Sequence, residues 1–289
     1  MIQDHLFFTG VNILLAWSVY IILLSGSLSF ANGAFMAVGA YCAGVLTVKL
    51  GLPLLPALAL AGIACGLVGV IVGFPALRTR GVYLILVTVG LTFCVQVIIE
   101  NIDYIGGVGG MGGMSGTTLW HVYGLVALVG AGLWWLSRSH LQRVLDAVRE
   151  DEQVARSLGT NTVYLKVVAF GAGAALAAVA GGLFSHYMVF INPEHFNIFV
   201  SIYIVLYVVL GGVNNMWGPV VGATLMTLTP ELIRGLAEWR PLVFGVIIIA
   251  VLLLRPDGLL PFRTVTARRS PRGDGFRVRA LRLRKEPAE

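Results

Sequence analysis

Charge is what this sequence has least of. Only 12% of its 289 residues are Asp, Glu, Lys or Arg, against 57% hydrophobic, and the mean hydropathy is +0.87. A water-soluble domain carries about twice that share of charge. Cysteine is scarce as well. Cys42, Cys65 and Cys94 all fall in apolar runs, at spacings that fit no disulfide framework, metal site or redox motif, so they read as small buried hydrophobes. No G-x-x-x-x-G-K-[ST] sequence occurs anywhere. The glycine-rich "IGGVGGMGGMSG" (105–116) has no lysine near it and no strand before it, and is expected to be a flexible outer loop rather than a phosphate cradle. Any ATP hydrolysis must come from another polypeptide. No H-E-x-x-H, paired carboxylates on an apolar run, or nucleophile–base set is present, which argues against an enzyme, a catalytic residue or a metal site. Asp and Glu are missing from the centres of the apolar runs, which counts against a secondary transporter or ion-coupled channel. The single Asn-Pro of "INPEHF" (191–196) lacks the second copy that water and glycerol channels use, and serves as a helix break. Ten-residue alternating segments are absent, so a β-barrel is excluded.

What remains is long apolar runs, each able to cross about 30 Å of hydrocarbon as a helix. Nine are expected, at 6–24, 31–50, 54–74, 82–99, 119–137, 163–189, 197–212, 217–234 and 240–254. The seventh and eighth are short and rich in Gly or Pro, the composition of half-helices. The fold class is therefore all-α: a polytopic helical membrane protein with about nine transmembrane segments. The first run has no basic n-region and no small-residue cleavage site, and is not read as a cleaved signal. Seven of the 20 Lys and Arg lie at Arg78, Arg80, Arg138, Arg143, Arg149, Arg156 and Lys166, and ten more between Arg255 and Lys285. Nine spans with the N-terminus out and the C-terminus in place all of these in the cytoplasm, leaving Lys49, Arg234 and Arg240 outside. Residues 263–289 hold nine basic and three acidic residues, a net of +6 equal to that of the whole chain. This segment is expected to be a disordered cytoplasmic tail near anionic headgroups, with no folded module for nucleic acid. The transmembrane body is 1–262, ahead of this tail.

Gly62, Gly66, Gly69 and Gly73 line one face of the third run, the spacing of a helix-packing seam. Gly218 and Gly222 repeat the pattern beside Pro219. On the fourth run Thr88, Thr92, Gln96 and Glu100 recur every four residues. That stripe suits either interhelical hydrogen bonding or a permeation path, for which Thr88, Thr92 and Gln96 are the candidates.

The stretch "DAVREDEQVARSLG" (146–159) is dense in charge, unlike anything around it. It falls within the largest cytoplasmic loop, 138–162, and predicts a helix over 141–158. Val144, Val148, Ala155 and Leu158 would share a face interrupted by Asp151, Glu152 would pair with Arg156, and Gly159 would end the helix at C′. Three basic and four acidic residues between Arg143 and Arg156 match an anionic membrane surface poorly and a protein groove better.

"RVLDAVREDEQVARSLGTNTVYLKVVAF" (143–170) resembles the cytoplasmic loop of ATP-binding-cassette (ABC) importer permeases of the branched-chain amino-acid type. "SGSLSFANGAFMAVGAYCAGVL" (25–46), "LRTRGVYLILVTVGL" (77–91), "VVLGGVNNMWGPVVGA" (208–223) and "LLLRPDGLLP" (252–261) are similar to the same family in the same order. The "LRTRGVYLILVT" segment is most like the second of its two non-identical permeases. The resemblance implies the ABC importer permease fold, alternating access, and a place in the bacterial inner membrane. It also implies several partners: a homologous permease, two ATPase subunits that hydrolyse ATP in trans, a periplasmic solute-binding protein and the surrounding lipid. No cofactor is expected in this chain. The loop would be the coupling helix that sits on the ATPase, with Arg149, Glu150, Asp151, Ala155 and Gly159 as coupling residues. Many members begin one span earlier, in keeping with the N-out parity, and many continue into a fused ATPase where this sequence has the basic tail. The implied substrates are leucine, isoleucine and valine, with urea, short amides or another small organic solute as the alternative.

Overall fold

The computed structural model describes residues 2–79 and 81–232, with Gly245 and Leu259. Ten α-helices account for nearly all of it: α1 Ile2–Leu24, α2 Asn32–Gly44, α3 Leu54–Ala76, α4 Val82–Glu100, α5 Leu119–Arg138, α6 His140–Glu150, α7 Glu152–Ser157, α8 Thr162–Met188, α9 Ile198–Gly211 and α10 Trp217–Leu232. Among the described residues six helices are long and apolar enough to cross a membrane: α1, α3, α4, α5, α8, and α9 with the 3₁₀ turn that leads into it from Pro193. This is a multi-pass helical membrane protein. The count of nine is not reached among the described residues. The run at 31–50 is a 13-residue helix finished by a π turn at Val45–Lys49, and the run at 217–234 is a 16-residue helix. The ninth run (240–254) and the basic tail lie outside the described residues.

The helix ends are set by local polar chemistry. Asn161 and Asn197 cap α8 and α9 through their side-chain oxygens, and Thr118 forms a reciprocal cap with His121 at α5. The glycine-rich loop departs from the flexible loop expected. Met111–Gly112 (β1) pairs antiparallel with Phe190–Ile191 (β2), and Met111 and Met114 are buried. Gly106, Gly107, Gly110, Gly113 and Gly116 take positive φ, so the glycines are there to turn the chain rather than to loosen it.

Helix α8 is the hub, with α1, α2 and α3 packed around it. Alanine and glycine fill its length, and backbones approach to contact at its crossing with α2. A Cβ on Gly39 would overlap the Ala178 backbone, and one on Gly181 would overlap the Met36 carbonyl. The sequence-derived seam also faces α8, more loosely. Cβ atoms built on Gly62, Gly66, Gly69 and Gly73 would stand 2.9, 3.2, 2.5 and 2.8 Å from Val179, Ala175, Ala174 and Phe170 side-chain atoms. Helices α9 and α10 form a hairpin against α1, its arms in backbone contact at Gly211, Gly218 and Gly222. Helix α5 packs mainly on α1 and leaves most of its surface outward, with Trp120, Leu128 and Trp135 exposed, as suits a helix facing lipid. Of the cysteines, Cys65 is buried as expected, Cys42 is half-buried, and Cys94 is exposed because its face of α4 has no protein neighbour.

Contacts sort the connections onto two faces. Gly26 after α1, the α9–α10 turn and α6 meet on one face. Lys49, Tyr104 and the β1–β2 ladder lie on the other, where the Lys49 ammonium stands 3.3 Å from the Tyr104 ring centroid.

Candidate functional site

The expected helix over 141–158 is two helices. Asp151 breaks it by adopting extended backbone (φ −150°, ψ 105°), which lets its carboxylate accept from the Gln153 and Val154 amides at 2.8 and 3.1 Å. An Asp in that conformation satisfies two of the orphan donors of the next helix, a gain that continuing α6 would forfeit. Helix α7 ends as the sequence predicts: Gly159 takes φ +85°, its amide donates to the Arg156 carbonyl at 2.9 Å, and Thr160 donates back to Ala155 at 3.1 Å.

On α6, Gln142, Leu145 and Val148 are the buried face, so the apolar stripe is rotated from the one expected through Val144. Arg149 reaches across to the α9–α10 turn, donating to the Val213 carbonyl at 3.4 Å and to Asn214 Oδ1 at 3.2 Å. A cleft of about 380 Å³ lies along this contact, lined by Leu24, Gln142, Asp146, Arg149, Glu150 and Asn214. Ala155 is buried and Asp151 caps. Glu152 accepts from Arg156 at 2.6 Å, from Lys166 at 2.8 Å and from Thr162 at 3.1 Å, tying α7 to the start of α8. Among the described residues the Glu150 carboxylate has no partner. It is exposed, and so are Val154 and Leu158 of the same loop, at 54% and 79%.

The brace at Glu152 has a pH signature. Partial burial alone would raise its carboxyl pKa, but the Lys166 ammonium, the Thr162 hydroxyl and Arg156 outweigh that and hold it below its ordinary 4.5. A depressed folded-state pKa contributes stability that is complete above 4.5 and lost as pH falls through the lower folded value. Glu152→Gln is therefore expected to lower the unfolding temperature of the purified chain at pH 7, by a difference that shrinks as pH is lowered below 4.5. A difference that stays constant as the pH falls would show that the charge is not what braces α7.

From Gly26 the chain leads inward, away from this face, without helical structure. Gly26 takes φ +76°, and the Arg149 Cα lies 3.2 Å from where a Cβ would stand, so the turn and the close approach each favour glycine there. Residues 25–31 then run to the start of α2. Non-helical backbone at membrane depth must be satisfied within the protein. Thr88 and Thr92 do this for Phe30: its amide donates to Thr88 Oγ1 at 3.1 Å, and its carbonyl accepts from Thr92 Oγ1 at 3.0 Å. The Gly33 amide donates to Ser201 Oγ at 3.0 Å. Thr88 and Thr92 are 0% and 1% exposed, and what they bond across the fold is the non-helical segment between α1 and α2 rather than a neighbouring helix. Gln96 is half-buried and donates to Glu100 at 3.0 Å. Thr92→Val leaves the Phe30 carbonyl short of a donor in a buried site, an expected loss of about 1–3 kcal/mol. Thermal unfolding in detergent checks it, with Thr92→Ser retaining most of the stability.

The sequence reading did not single out Gly26, Phe30, Ser201 or Asn214. The one available signal was the run of small polar residues in "SGSLSFAN", unusual between apolar runs. Among the described residues no group of three or more His, Cys, Asp or Glu comes together as a metal site.

The family model described as "Branched-chain amino acid transport system / permease component" matches residues 1–254. The high-affinity branched-chain amino acid transport system permease proteins LivM of Salmonella typhimurium and of Escherichia coli K12 are each 32% identical to it, across 88% of this chain and 68% of their own length. The permease protein LivH of Escherichia coli K12 is also 32% identical, over 42% of this chain and 40% of its own. No solved structure matches the chain. With the family model spanning nearly all of the described helices and both LivM proteins aligned along most of their length, the chain belongs to the branched-chain amino acid transport permease family.

Proposed function

We propose that the chain is one permease subunit of an ABC importer for branched-chain amino acids. It forms the translocation path with a homologous permease and is driven by two separate ATPase subunits that dock on α6 and α7. The observation that carries the docking assignment is the contrast within that unit. Arg149, Asp151, Ala155 and Gly159 fix its shape and its hold on the bundle, while Glu150, Val154 and Leu158 are left facing outward. An exposed carboxylate and exposed apolar side chains on one braced unit are what a protein groove recognises. On this reading the α6–α7 face is cytoplasmic, the N-terminus is outside, and a periplasmic binding protein delivers solute to the β1–β2 face. The excess of basic residues in 138–166 supports that orientation.

Affinity purification of the tagged chain from its native membrane, with mass spectrometry of its companions, tests the reading. A second permease and Walker-motif ATPases are expected, and the binding protein recovered with them should be screened against leucine, isoleucine, valine and urea. Urea binding would move the substrate to the amide class and leave the architecture intact. A chain that purifies alone and transports in liposomes without ATP would overturn the assignment.

A further inference from the structure

We propose that a cleft between α1 and α9 is a transient binding site for an apolar α-amino acid, through which the permease itself selects among solutes. The site presupposes the importer reading and places part of the selectivity in this chain. Helix α1 lines the cleft with Phe8, Val11, Asn12 and Leu15, and α9 lines it with Val200, Tyr203, Ile204 and Tyr207. Both sets follow the i, i+3, i+4, i+7 spacing of one helix face. Met36 and Phe184 complete the apolar wall. The volume is about 200 Å³. That is below the roughly 300–1,000 Å³ of drug-sized sites and suits a small solute.

One end of the cleft is at the β1–β2 face, where His195 lines it from the 3₁₀ turn that follows β2 and is itself exposed. At 1.5 Å per residue, Phe8 to Leu15 lie roughly 9 to 20 Å along α1 from Ile2, against about 30 Å for a whole bilayer core. The polar groups are few, and local bonds fix what each has left to offer. His195 Nδ1 accepts from the Asn192 amide at 3.3 Å, so the neutral ring carries its proton on Nε2, a donor. Thr227 gives its hydroxyl proton to the Ala223 carbonyl at 2.7 Å, so it can only accept from Asn12 Nδ2, at 2.9 Å. That leaves the half-buried Asn12 with its Oδ1 as an acceptor that has no partner among the described residues. A zwitterion matches this pair, its carboxylate taking the His195 proton donor and its ammonium the Asn12 acceptor. The rings of Tyr203 and Tyr207 add a favourable environment for the ammonium. Among the described residues no Asp, Glu, Lys or Arg lines the cleft. A solute of net charge would enter unpaired, at a high cost away from water. Urea would leave most of the apolar wall without contacts.

The test is photo-crosslinking of the full chain in lipid nanodiscs with photo-leucine, a diazirine analogue of leucine, followed by peptide mapping. Labelling is expected within residues 8–15 and 195–207 and should be suppressed by excess leucine, isoleucine or valine. Lysine, glutamate and urea should compete at least about tenfold less well. Asn12→Leu should lose the labelling, whereas Thr227→Val, which breaks the same hydrogen bond but keeps the Asn12 carbonyl, should retain it. Val200→Phe narrows the cleft without removing a polar group, and should weaken competition by leucine more than by the smaller valine. Misfolding cannot produce such a change of preference. Labelling confined to other segments, labelling that leucine does not suppress, suppression by urea or lysine as strong as by leucine, or a preference unmoved by Val200→Phe would each overturn the proposal. None of these measurements needs an ATPase or a binding protein, so a failed site and a failed importer reading give different results.

Discussion

Gly222→Ala is expected to leave little folded protein in the membrane, whereas Gly90→Ala, the same chemical change on another helix, is expected to be silent or slightly stabilising. The difference is in what the new methyl meets. At Gly222 it falls onto the Tyr207 carbonyl and within 2.9 Å of the Gly211 amide nitrogen, both backbone atoms of α9. Backbone cannot swing aside as a side chain can, so the α9–α10 hairpin must open, and Gly211 and Gly218 lose their contacts with it. Overpacking usually costs about 1–3 kcal/mol, and a clash with rigid backbone belongs in the rarer class above about 4 kcal/mol. At Gly90 there is nothing within 4 Å, and only the helix-propensity gain of about 1 kcal/mol remains. The seam glycines fall between: at Gly62 and Gly73 the obstructing atoms are the Val179 methyl and the Phe170 ring, which can move by tenths of an ångström. Membrane yield and the detergent unfolding temperature of Gly222→Ala, Gly62→Ala and Gly90→Ala should follow that order. Equal stability of Gly222→Ala and Gly90→Ala would mean that the hairpin is not closed by backbone contact.

This ordering also shows where sequence reading stops. The apolar runs locate the six long helices because a bilayer imposes length and composition on each of them locally. Gly159 and the Glu152–Arg156 pair are legible for a similar reason, since helix termination and i,i+4 pairing depend only on neighbours in sequence. The close backbone approach of α2 to α8 is not local. Gly39 and Gly181 come from helices far apart in the chain, and nothing in either segment says that they meet. The regular spacing of Gly62 to Gly73 drew attention to a looser seam instead. The α4 stripe was visible as polarity, but its purpose depended on Phe30, sixty residues away, whose non-helical backbone no periodicity announces. The break at Asp151 was half legible: the residue interrupting the apolar face is the one that caps α7.

Glu150→Lys should separate coupling from stability. Glu150 closes α6, and a carboxylate in the last turn of a helix opposes the partial negative charge gathered there. It has no partner among the described residues to offset that, so the lysine variant should be as stable as the wild type or more stable by about 0.3–1 kcal/mol. Arg149, one residue earlier, is the contrasting case. It holds the α9–α10 turn through Asn214 and Val213, and Arg149→Ala should loosen the unit and lower the unfolding temperature. If α6 and α7 dock on an ATPase subunit, the reversed charge at Glu150 meets the same partner groove with the wrong sign. In proteoliposomes containing the complete transporter, ATP-driven uptake by Glu150→Lys is then expected to fall at least about tenfold, or 1.4 kcal/mol of interaction. ATPase turnover should stop responding to the loaded binding protein. Val154→Asp should act in the same direction, because it puts charge into the apolar part of the same surface. Wild-type uptake with either variant, in protein shown to be folded, would remove the docking face from α6 and α7, and a loss of uptake in step with a loss of folding would return Glu150 to a structural role.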